Sequence, residues 1–404
     1  MKRKFGLALV AGVMTVTMTF ASSCSILEGF LQPQNSSIAP ISTITLTEYA
    51  EPLDIHTELQ NAYLRAGQPS ELTSDVKGRA EYSIPQSIKL TWSDTQNCNN
   101  YTVKISETAD FANAKTIVSA QKSVEIYNLK IATTYYWKVT QNMKDGTTSE
   151  VGTFDTTTHG PRNLFVEGVT NVRDVGGWVA NGERTVQGLL YRGGRLNNSY
   201  PTGWVKGGDD TGYAFQAEIT SAGAKVFKEE LGIKTEIDFR TLDRNGYPGI
   251  GANETLFSAV DGVNYISIPM NGDADVNSNR AAIKHFFEVI ADKSNYPVFY
   301  HCNIGTDRTG MVTYLINALC GVGDSDLYFD YMFSNFGLIA LPSPQVPNPS
   351  RKELNDLTTD TGTAARVNAY AGSTLQEKAR ACLLSCGISE ETLNTVYDIM
   401  TKGL

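Results

Sequence analysis

Apolar and polar positions alternate with a period of two in the first half of the chain: Ile88, Leu90 and Trp92 in SIKLTWS, Tyr101, Val103 and Ile105 in YTVKIS, Tyr135, Trp137 and Val139 in YYWKVT. Such a period puts one face of each segment in a core and the other in water, which predicts short strands, and turn-forming stretches such as KDGTT separate them. Residues 79–158 are therefore expected to form an all-β sandwich. Beyond THGPRN the pattern changes. SAGAKVFKEELG places Ser221 as an N-cap and Gly232 as a stop around a helical middle, and it runs into the apolar strand IKTEIDF. VNYISIPM, a helix RAAIKHFFEVIA, PVFYHC and a helix TGMVTYLINALC follow. Helix and strand in alternation predict an α/β domain, a central sheet with helical cover, over residues 159–404. Its tail is expected to be helical in AARVNAY, TLQEKARACLLSC and SEETLNTVYDIM, the last capped near Ser389.

Ahead of both regions, MKRK supplies a positive start, FGLALVAGVMTVTMTF an apolar run and ASSC a small-residue end, so residues 1–24 read as a signal peptide. The ending resembles a bacterial lipobox, with Ala21 where Leu is usual, and that resemblance makes Cys24 the lipidated N-terminus of an exported, membrane-anchored lipoprotein facing the periplasm or cell surface. Simple secretion with cleavage nearby is the alternative. Residues 25–78, rich in Ser, Thr, Pro and Gln, are expected to be a tether, with a short helix around DIHTELQNAYLRA. In the sandwich, Leu129, Thr133, Tyr135 and Val139 stand at the spacing of an L-x-P-x-T-x-Y-x-x-x-V signature, with Ile131 where Pro is usual. On those residues the segment resembles a fibronectin type III module, which implies a spacer or a platform for a protein or glycan partner.

With 404 residues, 41% of them hydrophobic, the chain can bury ordinary cores. Its net charge of −9 and its lack of clustered Lys and Arg argue against a nucleic-acid partner. Export implies an oxidising compartment, yet the six cysteines make no obvious framework. Cys382 and Cys386 lie at i and i+4 of an expected helix, roughly 5–6 Å apart at Cβ where a disulfide wants about 3.5–4.5 Å. No structural disulfide is expected.

The chemistry concentrates in PVFYHCNIGTDRTGMVTYLINAL, residues 297–319. Cys302 ends an apolar strand, and Asn303, Ile304, Gly305, Thr306 and Asp307 turn the chain so that Arg308 and Thr309 open a helix. Successive amides of such a turn, with the helix N-terminus behind them, make a site for a dianionic oxyanion and lower the thiol pKa. Arg308 can offer a planar fork to two phosphate oxygens, Gly305 allows close backbone approach, Thr309 can donate its hydroxyl to sulfur, and His301 is expected to support the loop. No metal-ligand cluster or cofactor motif accompanies them.

HCNIGTDRTG resembles the His-Cys-x5-Arg-Thr-Gly loop of the cysteine-dependent tyrosine and dual-specificity phosphatases, and among them the bacterial tyrosine and phosphoinositide phosphatases with His-Cys-x-x-Gly-Lys-Asp-Arg-Thr-Gly. NVRDVGGW, GLLYRGGRL, TEIDFRTLDR and DYMFSNFG resemble further pieces of that bacterial family in order, over about 162–340. The resemblance implies hydrolysis of a phosphorylated protein or small phosphomonoester through a cysteinyl phosphate. Asp307 is the preferred general acid, with Asp273 as the alternative and Asp275 beside it. Thr306 stands where the family has Lys; with only a hydroxyl at the pocket rim, phosphotyrosine-like esters are expected over phosphoinositides.

Each residue also has a plainer reading. Cys302 could be an inert core thiol, Arg308 a surface residue, His301 a satisfied strand end, Thr309 an ordinary cap and Asp273 a solvated loop acid. Arg173 with Asp174 reads as a turn with an ion pair, and Asp238 with Arg240 as either pocket lining or a brace. Rival functions are a sulfurtransferase or reductase, and a lipoprotein that binds phosphorylated ligands without turnover.

Overall fold

The computed structural model describes residues 43–96, 98–197, 218–240, 258–340 and 350–404. The signal segment, Cys24 and residues 25–42 of the expected tether lie outside these. What remains of that tether is folded. Strand β1 (Ile44–Leu46) is followed by helix α1 (Glu58–Ala66), whose Thr57 and Gln60 form a reciprocal capping box. Tyr63 of α1 is buried against Phe329, Phe333 and Phe336, with ring centroids 5.1, 5.6 and 5.8 Å away. Leu72 and Val76 are buried in the same cluster. The polar composition of 25–78 hid these apolar anchors, which are spaced too irregularly to show a period.

The alternating stretches are the strands they predict: β2 (Ile88–Asp94), β3 (Tyr101–Ser106), β4 (Lys115–Ser119), β5 (Ser123–Ile126), β6 (Thr134–Gln141) and β7 (Gly152–Asp155). They form two antiparallel sheets, ordered β1-β2-β5 and β4-β3-β6-β7. Leu90 and Trp92 from one and Val103, Trp137 and Phe154 from the other share a single apolar core. Because β1 belongs to this region, the described chain passes through it first, leaves to place α1 and residues 72–84 on the second region, and returns as β2.

The second region holds β8 (Arg173–Asp174), a small hairpin of β9 (Val179–Ala180) and β10 (Glu183–Arg184), β11 (Leu190–Gly193), α2 (Ser221–Lys225), β12 (Thr235–Asp238), β13 (Asn264–Ser267), α3 (Arg280–Ala291), β14 (Val298–His301) and α4 (Asp307–Cys320). Then come α5 (Asp324–Met332), α6 (Asn355–Thr358), α7 (Thr363–Asn368), α8 (Leu375–Ser385) and α9 (Glu390–Lys402). Its sheet runs β13-β12-β14-β11-β8, parallel except for β8 at one edge. Alternation along β14 sends Val298 and Tyr300 to the α3 and α4 side and Phe299 to the α2 side. Every residue of α4 after Asp307 is buried, including the polar Arg308, Thr309, Thr313 and Asn317, so the helix is covered on all sides. The N-cap of α2 is Thr220 rather than Ser221: its hydroxyl accepts the Gly223 amide at 3.0 Å, and α2 continues into a π-helical turn over Val226–Glu230.

Residues Ser42–Leu404 make one compact unit. The Asn128 side chain pairs with both backbone groups of Phe165, and Gln187 does the same with Ile131. Arg162 donates to the carbonyls of Asn128 and Leu129 and pairs at 2.7 Å with Asp174. These contacts join the sheets to the α/β region.

Candidate active site

The central strand β14 ends at His301, in register with Asp238 of β12 and Gly193 of β11. Cys302 therefore emerges at the carboxyl ends of the parallel strands, the edge where open α/β sheets take ligands. Residues 302–306 then turn into α4. Gly305 makes that turn at φ +70°, and a Cβ there would collide with the Gly193 carbonyl.

The loop carbonyls are held from behind. Asn171 donates to those of Ile304 (3.0 Å) and Gly305 (3.2 Å), Arg192 to Gly305 (2.6 Å), and the Arg195 amide to Asn303 (3.1 Å). With its carbonyls turned outward, the loop presents its amides to the opposite side, which is an anion nest at a helix N-terminus. These braces are themselves fixed: Arg173 binds Asn171 and Asp330, and Arg192 pairs with Asp330 at 2.5 Å. Burial pushes the Asp330 carboxyl up, but the two guanidiniums outweigh it and hold the group below the usual carboxylate range. Arg173 and Asp174 thus have separate partners instead of each other.

The Cys302 thiol is buried. Burial alone would raise its pKa; the Arg308 guanidinium and then the Thr309 hydroxyl and amide reverse this, leaving it below the ordinary thiol value. The Thr309 hydroxyl is buried and has no other partner, so it does not cap the helix. Arg308 is buried as well, and Nη1 donates to the Phe239 carbonyl at 3.0 Å. His301 lies between two acceptors, Nδ1 at 2.9 Å from the Cys302 carbonyl and Nε2 at 2.8 Å from Glu236 Oε1. Burial lowers its pKa, while Asp238 and Glu236 more than restore it. Asp238 braces rather than lines the pocket: it takes the fork of Arg240 and the Tyr265 hydroxyl at 2.8 Å.

Of the acid candidates, Asp307 opens α4 and pairs with Lys352 at 2.7 Å. Asp273 is an exposed loop residue that accepts Ser278, and Asp275 is clamped by Nε and Nη2 of Arg366, which holds it below the usual range. Asp273, Asp307 and Lys352 border one cleft of about 320 Å³. Thr306 corrects the expectation placed on it: its side chain is fully buried and its hydroxyl turns back toward the Ile304 carbonyl at 3.5 Å, so it offers nothing at the rim. Sequence reasoning missed Glu236, Lys352 and the packing of residues 72–84 on this region. Glu236 stands in the quoted TEIDFRTLDR, where Thr235 and Asp238 of the same short strand are polar too, so nothing singled it out; Lys352 had no signal either. Among the described residues no group of three His, Cys, Asp or Glu could hold a metal ion, and no helix is long and apolar enough to cross a membrane.

At the carboxyl end of β14 the structure thus brings together a buried thiol held below its ordinary pKa, a loop with its carbonyls turned outward and an arginine at the start of the next helix. Residues 214–402 match the family described as the tyrosine phosphatase family, which supports a cysteine-type phosphatase. NVRDVGGW and GLLYRGGRL lie ahead of that span, and the helical tail lies within it. Among solved structures, the chain is similar to the core catalytic domain of the PP-IP phosphatase SIW14 from S. cerevisiae, with 19% identity over 38% of this chain and 77% of that one, at a TM-score of 0.25. It is also similar to TpbA of P. aeruginosa, with 14% identity over 56% and 89% of the two chains, at a TM-score of 0.25. No curated protein matches the sequence.

Proposed function

We propose that this chain is an exported phosphomonoester hydrolase of the protein tyrosine phosphatase type. The observation that carries the reading is the outward locking of the Asn303, Ile304 and Gly305 carbonyls around an activated Cys302. In the first step Cys302 Sγ attacks phosphorus in line and the bond to the leaving oxygen breaks, with Asp307 giving that oxygen its proton. Loop amides and Arg308, turned from the Phe239 carbonyl toward the ligand, hold the equatorial oxygens. In the second step water attacks the cysteinyl phosphate, Asp307 takes its proton, and the S–P bond breaks to restore the thiolate. Thr309 donates to the departing sulfur.

The two N-terminal sheets are proposed as a fibronectin type III-like module. The strand order supports this, as do the buried Leu129, Ile131 and Val139 and the Tyr135 hydroxyl, which accepts the Lys130 amide at 2.8 Å. Lipidation of Cys24 remains part of the proposal, to be tested by mass spectrometry of the mature N-terminus.

Hydrolysis of para-nitrophenyl phosphate by the purified protein tests the central reading. Cys302→Ser is expected to lose activity by many orders of magnitude while still binding a phosphate analogue, because its alkoxide is far harder to form. Wild-type protein that binds the analogue without turnover would leave a phosphate-binding lipoprotein instead. A panel of phosphopeptides, phosphoinositides and small phosphates then assigns the substrate class.

A further inference from the structure

Thr306 points into the core, so the loop itself presents no ammonium. One arrives from far along the chain. Lys352 Nζ lies 2.7 Å from Asp307 Oδ1, and the two side chains keep 26% and 32% of their surface exposed, at the border of the cleft that Asp273 also lines. Lys352 is not placed by chance. The wholly buried Asn335 grips its main chain from both sides: Oδ1 accepts the Lys352 amide at 2.8 Å, and Nδ2 donates to the Lys352 carbonyl at 3.1 Å and to that of Met332 at 3.0 Å. The Asn335 carbonyl in turn accepts the Gly78 amide at 2.8 Å.

We propose that Lys352 is a positioning residue for the reaction: held by Asn335, it fixes the Asp307 carboxyl group in place at the first turn of α4. The pair occupies Oδ1 and leaves Oδ2, which carries the proton given to the leaving oxygen in the first step and, once ionised, takes one from water in the second. A carboxylate free to rotate would spend much of its time out of reach, and misplacing a reacting group by an ångström can cost about a hundredfold. The inference rests on the cysteinyl-phosphate reading and on Asp307 as the proton-transfer residue.

The experiment compares kcat and KM for wild type, Lys352→Met, Lys352→Gln, Lys352→Arg, Asp307→Asn and the Lys352→Met/Asp307→Asn double variant, on aryl phosphates of graded leaving-group basicity. Lys352→Met and Lys352→Gln are expected to lower kcat by roughly 10-fold, with KM little changed and the dependence on leaving group steepened. Lys352→Arg, which keeps the charge, should return to within about threefold of wild type. The double variant should be no slower than Asp307→Asn alone, since residues acting as one unit are not additive. Multiplicative losses in the double variant, or an unchanged kcat in both neutral variants of an active enzyme, would overturn the proposal. Inactive wild type, or a fully active Cys302→Ser, would sink the hydrolase reading itself and is told apart by that control.

Discussion

The chemistry of single residues here is decided by what lies directly behind them. Cys302 stays below the ordinary thiol value only because Arg308 and Thr309 overcome burial. Alkylation by iodoacetamide, followed against pH, should therefore show a midpoint well below the free-thiol value of about 8.5. Arg308→Ala should move that midpoint upward; an unshifted midpoint would place the activation elsewhere. Asp238 gives a second test. Burial raises its pKa, and Arg240 and His301 bring it down to about 2, from 3.8. A carboxylate depressed in the folded state stabilises the fold above its unfolded pKa and loses that contribution as pH falls through the folded value. Thermal unfolding should accordingly show wild type losing stability between about pH 4 and pH 2, with a shallower loss over that window in Asp238→Asn. At this scale the sequence was legible where residues are contiguous: Cys302 to Thr309 lie in one short stretch, and their spacing, together with the resemblance of the flanking motifs, pointed to the chemistry. Glu236 and Lys352 were not, because their partners His301 and Asp307 lie 65 and 45 residues away.

Whole elements obey the local rules more closely than single contacts do. Period-two stretches became strands, RAAIKHFFEVIA became α3, and Ser389 caps α9 by accepting the Thr392 amide at 3.1 Å. The misplaced cap of α2 shows the limit, since adjacent Thr220 and Ser221 carry equivalent hydroxyls and only the backbone decides between them. The turn at residues 302–306 depends on one glycine. Gly305→Ala combines a left-handed backbone, costing about 1–2 kcal/mol, with a collision against the Gly193 carbonyl. It is expected to bind phosphate analogues far more weakly even where circular dichroism stays native, and wild-type affinity in that variant would show the loop shape to be dispensable. In the first sheets, Tyr135→Phe strands the Lys130 amide and should lower stability by about 1–3 kcal/mol without touching catalysis in the folded protein.

At the scale of the molecule the unexpected feature is the strap of residues 72–84. Its Glu81 binds the Thr170 hydroxyl, its Ser83 hydroxyl accepts the Asn171 amide at 3.1 Å, and its Gly78 joins Asn335, Ile339 and Ala340. Asn171 holds the Cys302 loop and Asn335 holds Lys352; the route through Gly78 starts in the expected tether, and the route through Ser83 starts in residues the sequence assigned to the sandwich. A fragment beginning at residue 159 is expected to be inactive or unstable; full activity in it would make the strap ornamental. The strap also sets an order of events in time. Glu81 meets Leu338 across 257 residues of chain, a contact whose closure cost must be met before it returns anything. During refolding, tryptophan fluorescence from the sheets should reach its native value first, with hydrolysis of an aryl phosphate returning in a slower phase. A chain built this way is expected to complete the support of its Cys302 loop last, when segments 257 residues apart have found each other.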